Sequence, residues 1–251
     1  MREIAKRVIS ALPQWWRSHI LPLLFTIPAA GLFVAALGLW GFAQIADEVL
    51  DKETQAIDTA ILVFIRSLHA PLLDRLMLGF TFVGEPTVLL VICLGFGIWL
   101  YRDGRRGQAI TLAIAGVGAV GLNYLLKVVF GRARPALWDR VIDVGQYSFP
   151  SGHAMISMVV YGALGYLLVK QLSKWHIAIA SGTLLLVTGI GLSRLYLGVH
   201  WPTDVVAGYA AGIVWLMTCI LSLEIWQEYY KPAPQKTPIP NEEESNIANR
   251  R

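Results

Sequence analysis

Charge is scarce in this sequence. Only 15% of its 251 residues are Asp, Glu, Lys or Arg, against roughly 25% in an ordinary soluble domain. With a mean hydropathy of +0.55, that scarcity argues against a soluble globular protein before any motif is read. Cysteine is scarcer still, at Cys93 and Cys219 alone. Both fall inside apolar runs, with no CxxC pair and no metal-ligand spacing. A disulfide scaffold and a zinc module are therefore excluded, and the two thiols read as small core residues. The chain has no internal repeat, and nothing in it calls for a nucleic-acid partner.

Apolar length is what the chain has in plenty, with 55% of its residues hydrophobic. A bilayer core about 30 Å thick needs about 20 mostly apolar residues per helical span. Six stretches qualify, at about 21–42, 85–101 (or from Leu76), 109–130, 153–170, 177–195 and 202–226. They are apolar nearly all round and lack the polar face that a soluble bundle shows every 3.6 residues. The expected fold class is all-α, a bundle of six transmembrane helices in one domain over residues 1–230. The first stretch begins too far in, and runs too long, to be a cleaved signal peptide. Residues 43–75 mix Asp47, Glu48, Asp51, Glu53 and Asp58 with apolar residues, as an amphipathic helix on the outer surface would. Residues 231–251, rich in Pro, Glu and Asn, read as a disordered cytoplasmic tail. Trp15, Trp16, Trp40 and Trp226 lie near span ends, where interfacial belts form.

Six spans put both termini on one side. That side holds Arg2, Lys6, Arg7 and Arg17, then Arg102, Arg105 and Arg106, Lys170 and Lys174, and the Lys and Arg of the tail. Positive charge favours the cytoplasm, so both termini are expected there.

Three polar clusters interrupt the apolar runs. They are Lys127-x6-Arg134-Pro135, Pro150-Ser151-Gly152-His153 and Ser193-Arg194-x5-His200-x3-Asp204. The six-span layout puts all three on the face opposite the termini. Charge that deep in an apolar context is costly, and function is its default explanation.

The residue types suit phosphoryl transfer, whose negative charge needs fixed cations and N–H donors in a dry site. Lys127, Arg134 and Arg194 supply cations. The arginines can grip phosphate oxygens two at a time. Ser151, Gly152 and His153 open a helix whose N-terminal N–H groups favour an anion, and Gly152 lets the backbone come close. His200 precedes Asp204 by four residues, so the carboxylate can hold one ring nitrogen and leave the other as nucleophile. His153 can then act as general acid. Taken singly, each residue has a plainer reading: a snorkelling cation, a turn, a helix cap. Their shared face and complementary roles favour the site. His19, His69 and His176 read as structural. Two histidines and an aspartate could ligate a metal, but three neighbouring cations oppose one. Gly84-Glu85-Pro86 reads as a helix start, with an alternative in which Glu85 lines a substrate entry gap.

The three clusters resemble the signature of the type 2 phosphatidic acid phosphatase family, within the lipid phosphate phosphatase and haloperoxidase superfamily. Order, internal spacing and six-span layout all agree. The resemblance implies a metal-independent phosphatase with no cofactor. It assigns a phosphohistidine to His200, support of it to Asp204, and protonation of the leaving group followed by activation of water to His153. Lys127, Arg134, Ser151, Gly152, His153 and Arg194 would bind phosphate, with Arg132 at most assisting. The implied substrates are lipid phosphates or pyrophosphates in a bilayer: phosphatidic acid, phosphatidylglycerophosphate or undecaprenyl pyrophosphate. The implied place is a bacterial inner or plasma membrane, with the site facing the periplasm or exterior. No oligomeric state follows. Two alternatives share the residues: a lipid phosphotransferase using the same intermediate, and a non-catalytic lipid-phosphate binding or transport protein. Halide chemistry suits a lipid-facing site less well.

Overall fold

A computed structural model describes residues 27–138 and 145–229 of the chain. Eight α-helices follow one another among these residues. They are α1 (Ile27–Leu50), α2 (Gln55–Ser67), α3 (Pro71–Val83), α4 (Pro86–Arg102), α5 (Arg106–Phe130), α6 (Gly152–Gln171), α7 (His176–Tyr196) and α8 (Pro202–Tyr229). A short 3-10 turn, Ser173–Trp175, joins α6 to α7. No strand forms among the described residues; Ala133 and Tyr147 make one isolated bridge. The protein is an all-α integral membrane bundle.

Five helices are long and apolar enough to cross a bilayer: α1, α5, α6, α7 and α8. A sixth span requires α3 and α4 together, which meet at a 51° bend. α4 alone has 17 residues. The bend falls at Gly84-Glu85-Pro86, because Pro86 lacks an N–H and disfavours helix at the residue before it. Glu85 is accordingly extended, at φ −63° and ψ 131°. The second sequence stretch, begun at 85, thus covers the second half of this bent pair, and begun at Leu76 it reaches into α3. The first ended at about residue 42, whereas α1 continues to Leu50 and carries Asp47 and Glu48 beyond the apolar run. The mixed-charge segment does contain a helix, α2, but its Asp58 is fully buried rather than facing outward. Trp15, Trp16, His19 and the 231–251 tail lie outside the described residues.

α6 is the central helix, in contact with α4, α5, α7 and α8. Its approach to α8 depends on the missing side chains of Gly208 and Gly212. A Cβ there would lie 2.8 Å from Ser151 O and 2.9 Å from Met155 O. Small residues of this kind let membrane helices pack backbone to backbone. The outer surface carries exposed Leu32, Phe33, Val91, Val117 and Leu184, as a lipid-facing wall should, while Asp58, Ser193, Arg194, His200 and Asp204 are buried. Water drives apolar groups inward in a soluble protein; here the polar groups gather inside.

Candidate active site

Helix ends converge at one end of the bundle. Lys127 lies in the last turn of α5, which stops at Gly131 in the left-handed region, φ +55°. Ser151 caps α6 by accepting from the N–H of Ala154, and its own N–H donates to Asp204 O at 2.9 Å. Arg194 lies in the last turn of α7. His200 follows in the connecting turn, and Asp204 lies in the first turn of α8.

These ends enclose a cavity of about 400 Å³. Lys127, Arg134, Gly152, His153, Arg194 and His200 all line it. The structure therefore brings the three sequence clusters together. Ser151 and Asp204 are not part of the cavity wall; both are fully buried, and Asp204 stands next to His200.

The hydrogen bonds select the tautomer of His200. Arg134 Nη1 lies 3.1 Å from His200 Nε2, and a guanidinium only donates. Nε2 must then carry the lone pair and Nδ1 the proton. Nδ1 faces Asp204 Oδ2 at 3.4 Å, and the same oxygen accepts the Trp201 N–H at 2.8 Å. The free lone pair is thus on the nitrogen beside the cations. Burial first, and then the positive charges of Arg134, Arg194 and Lys127, hold the His200 imidazole well below its usual pKa.

This shift has a stability consequence. Below the unfolded histidine pKa of about 6.5, the unfolded chain takes up a proton that folded His200 refuses. The stability linked to the neutral ring is complete above that pH and is lost as pH falls, by about 1.4 kcal/mol per pH unit. A His200→Asn variant should therefore show a flatter loss of melting temperature between about pH 6.5 and about pH 5 than the parent. Identical slopes in thermal melts of the two proteins would contradict the assignment.

Arg194 is buried to 2% exposure. Its Nη1 makes one long contact, 3.4 Å, to Thr81 Oγ1, and its Nε has no partner. Thr81 in turn bonds Ser193 Oγ at 2.8 Å. His153 Nε2 lies 3.2 Å from Glu85 Oε2. Glu85 therefore does more than start α4: its carboxylate lines the cavity and touches a site histidine. The His69 ring stacks on Tyr196, and His176 bonds Ser173 O, both outside the site.

Two residues emerge that sequence reasoning passed over or set aside. Arg132 bonds Asp204 Oδ1 at 2.7 Å and Asp58 Oδ2 at 2.8 Å. Asp58 also accepts from Thr203 N at 3.1 Å and Thr203 Oγ1 at 2.6 Å. A lone carboxylate within the apolar run Ala56–Ile65 was the available signal for Asp58. Among the described residues, no group of three or more His, Cys, Asp or Glu could hold a metal ion.

Residues 108–227 match the model of the PAP2 superfamily. Phosphatidylglycerophosphatase B of Bacillus subtilis (strain 168) is 33% identical over 199 residues, covering 76% of this chain and 87% of the relative. The chain belongs to the PAP2 superfamily. An undecaprenyl-diphosphatase of Sulfolobus acidocaldarius is 37% identical over 115 residues, 43% of this chain and 51% of that protein. The crystal structure of a transmembrane PAP2 type phosphatidylglycerolphosphate phosphatase from Bacillus subtilis superposes with a TM-score of 0.72 at 26% identity. It covers 79% of this chain and 98% of that one. The PAP2 match contains all three clusters and Arg132, but begins after Asp58 and Glu85.

Proposed function

We propose that this PAP2 protein hydrolyses the terminal phosphate of a membrane lipid without a metal, through a phosphohistidine at His200. The observation that carries the reading is Arg194, a buried guanidinium with an unpartnered Nε beside a cavity that Lys127 and Arg134 also line. A buried cation calls for an anion, and a phosphate offers three acceptor oxygens at once. In the first step His200 Nε2 attacks phosphorus. An N–P bond forms, the P–O bond to the lipid breaks, and His153 gives its proton to the leaving oxygen. In the second, His153 takes a proton from water, the water oxygen attacks phosphorus, the N–P bond breaks, and inorganic phosphate leaves. Asp204 holds the Nδ1 proton throughout and stabilises the imidazolium.

A lipid substrate is supported by a second cavity, about 700 Å³, between α4 and α5. It meets the anion cavity at Pro86 and Ile156, which line both. It follows α4 from Pro86 to Arg102, a length of about 24 Å at 1.5 Å per residue. Its wall is almost wholly apolar, with Leu90, Leu94, Ile98 and Val117 among the lining residues. This is the place for the lipid tail, and the names of the two relatives given above fit a lipid phosphate or diphosphate. Arg102, Arg105, Arg106, Lys170 and Lys174 lie at the other end of the bundle, so the positive-inside rule turns the site away from the cytoplasm. The setting is a plasma membrane, the inner membrane in a bacterium.

Gly97 lines the tail cavity, and a Cβ there would meet nothing within 4 Å. A Gly97→Phe side chain should enter the groove, since its Cβ meets no neighbour. We expect kcat/KM for a long-chain lipid phosphate to fall about tenfold, a 1.4 kcal/mol effect, with a short water-soluble phosphate ester hydrolysed within about twofold of the parent rate. Equal losses on both substrates would place the tail elsewhere.

The reaction itself is tested by phosphate release from phosphatidic acid, phosphatidylglycerophosphate and undecaprenyl pyrophosphate in excess EDTA. Release should persist under chelation and stop with vanadate. Loss on chelation would overturn the metal-free route. Label passing to an acceptor lipid would make the protein a transferase, and binding without turnover would make it a carrier.

A further inference from the structure

We infer that Asp58 is a positioning residue for the nucleophile, acting through Arg132 and Asp204. The inference rests on His200 being the nucleophile. Asp58 is fully buried, in the first turn of α2. It shares one guanidinium with Asp204: Arg132 Nη2 bonds Asp58 Oδ2 at 2.8 Å, and Nη1 bonds Asp204 Oδ1 at 2.7 Å. Thr203 locks the junction. Its hydroxyl lies 2.6 Å from Asp58 Oδ2 and 2.7 Å from Arg132 Nη1, and its N–H also reaches Asp58.

Arg132 is not among the residues that line the anion cavity. That separates it from Lys127, Arg134 and Arg194. Its task is set by the two oxygens of Asp204. Oδ1 accepts from Arg132, which leaves Oδ2 for the Trp201 N–H and for His200 Nδ1. A guanidinium presents its donors in a rigid planar fork, and its preferred grip on a lone carboxylate is bidentate. With Asp58 at 2.8 Å, and more weakly Thr54 at 3.3 Å, holding the other arm, Arg132 can spend only one arm on Asp204. Without Asp58, both arms would turn to Asp204, claim Oδ2 as well, and draw the carboxylate off His200. Asp58 also offsets the charge of Arg132, so that Asp204 keeps its full negative charge for the imidazolium that forms on attack.

The variant is Asp58→Asn, which keeps the shape and removes the charge. It should lower kcat, and the rate of phosphoenzyme formation, about ten- to a hundredfold. KM and vanadate affinity should stay within about twofold, because the three cavity cations are untouched. Asp58 acts only through Asp204, so Asp58→Asn with Asp204→Asn should be no slower than Asp204→Asn alone. A structural role alone would instead give multiplying losses that track a lower melting temperature. Should Asp58→Asn fail to fold, Arg132→Lys reports the same step, since an ammonium keeps the charge but cannot fork between two carboxylates. Parental kcat in either folded variant, or multiplying losses in the double variant, would overturn the inference. A parent protein that releases no phosphate would instead overturn the phosphatase reading.

Discussion

Replacing His200 with alanine should abolish phosphate release while leaving anion binding in place. The two effects separate because attack and binding rest on different atoms. In the proposed reaction attack depends on the Nε2 lone pair, which the 3.1 Å contact from Arg134 leaves unprotonated. Binding, in the same proposal, depends on Lys127, Arg134 and Arg194, which line the cavity with it. Loss of a nucleophile that acts as one unit with its supporting groups costs on the order of 10⁶-fold in kcat. Vanadate should still raise the melting temperature of His200→Ala. Phosphate release above about a hundredth of the parent rate would place the nucleophile elsewhere, since loss of the nucleophile itself leaves far less.

Arg194→Met should give the second large effect, and a gain of stability should accompany the loss of function. Arg194 is buried with its Nε unpartnered and forms no ion pair among the described residues. Keeping such a charge out of water opposes folding. Methionine fills much of the same space without it and adapts to irregular gaps. In the proposed reaction the same charge meets the phosphoryl oxygens as they gain charge on the way to the transition state. Removing a contact of that kind costs on the order of 10³-fold in kcat. The expected result is a higher melting temperature, by roughly 2–4 °C per kcal/mol, with activity reduced at least a thousandfold. A lower melting temperature would show that Arg194 is held by bonds stronger than its 3.4 Å contact to Thr81.

Much of this site could be read before any coordinates. Lys127, Arg134, His153, Arg194, His200 and Asp204 stand out because charge and imidazole are rare in apolar runs, and each sits where a run begins or ends. Helix ends are local events that caps, glycines and prolines announce in sequence. What stayed hidden is what depends on tertiary approach. Asp58 sits among acidic neighbours that face outward, and only the docking of α2 against α8 buries it. Arg132 looked dispensable beside Arg134, two residues on. The fold of the loop after α5 turns Arg132 toward two carboxylates and Arg134 toward the cavity. Glu85 was legible as a helix start, and Pro86 does occupy the first turn of α4. Its contact with His153, 68 residues away, is a product of the bend between α3 and α4. The extent of α1 was underestimated for a different reason. Hydropathy marks where lipid ends, and a helix can continue past that point.

The clamp at Asp58 also bears on how the protein is made. It ties α2 to the first turn of α8, through partners 145 residues apart, and α1 itself lies along α8. Synthesis runs from the N-terminus, so α8 enters the bilayer after every other described helix. Until it does, Arg132 has one carboxylate instead of two, and neither His200 nor Asp204 is in place. A chain still emerging from the ribosome therefore cannot act on the lipids of the membrane it is entering. The insertion that seals the bundle is the same event that completes the site.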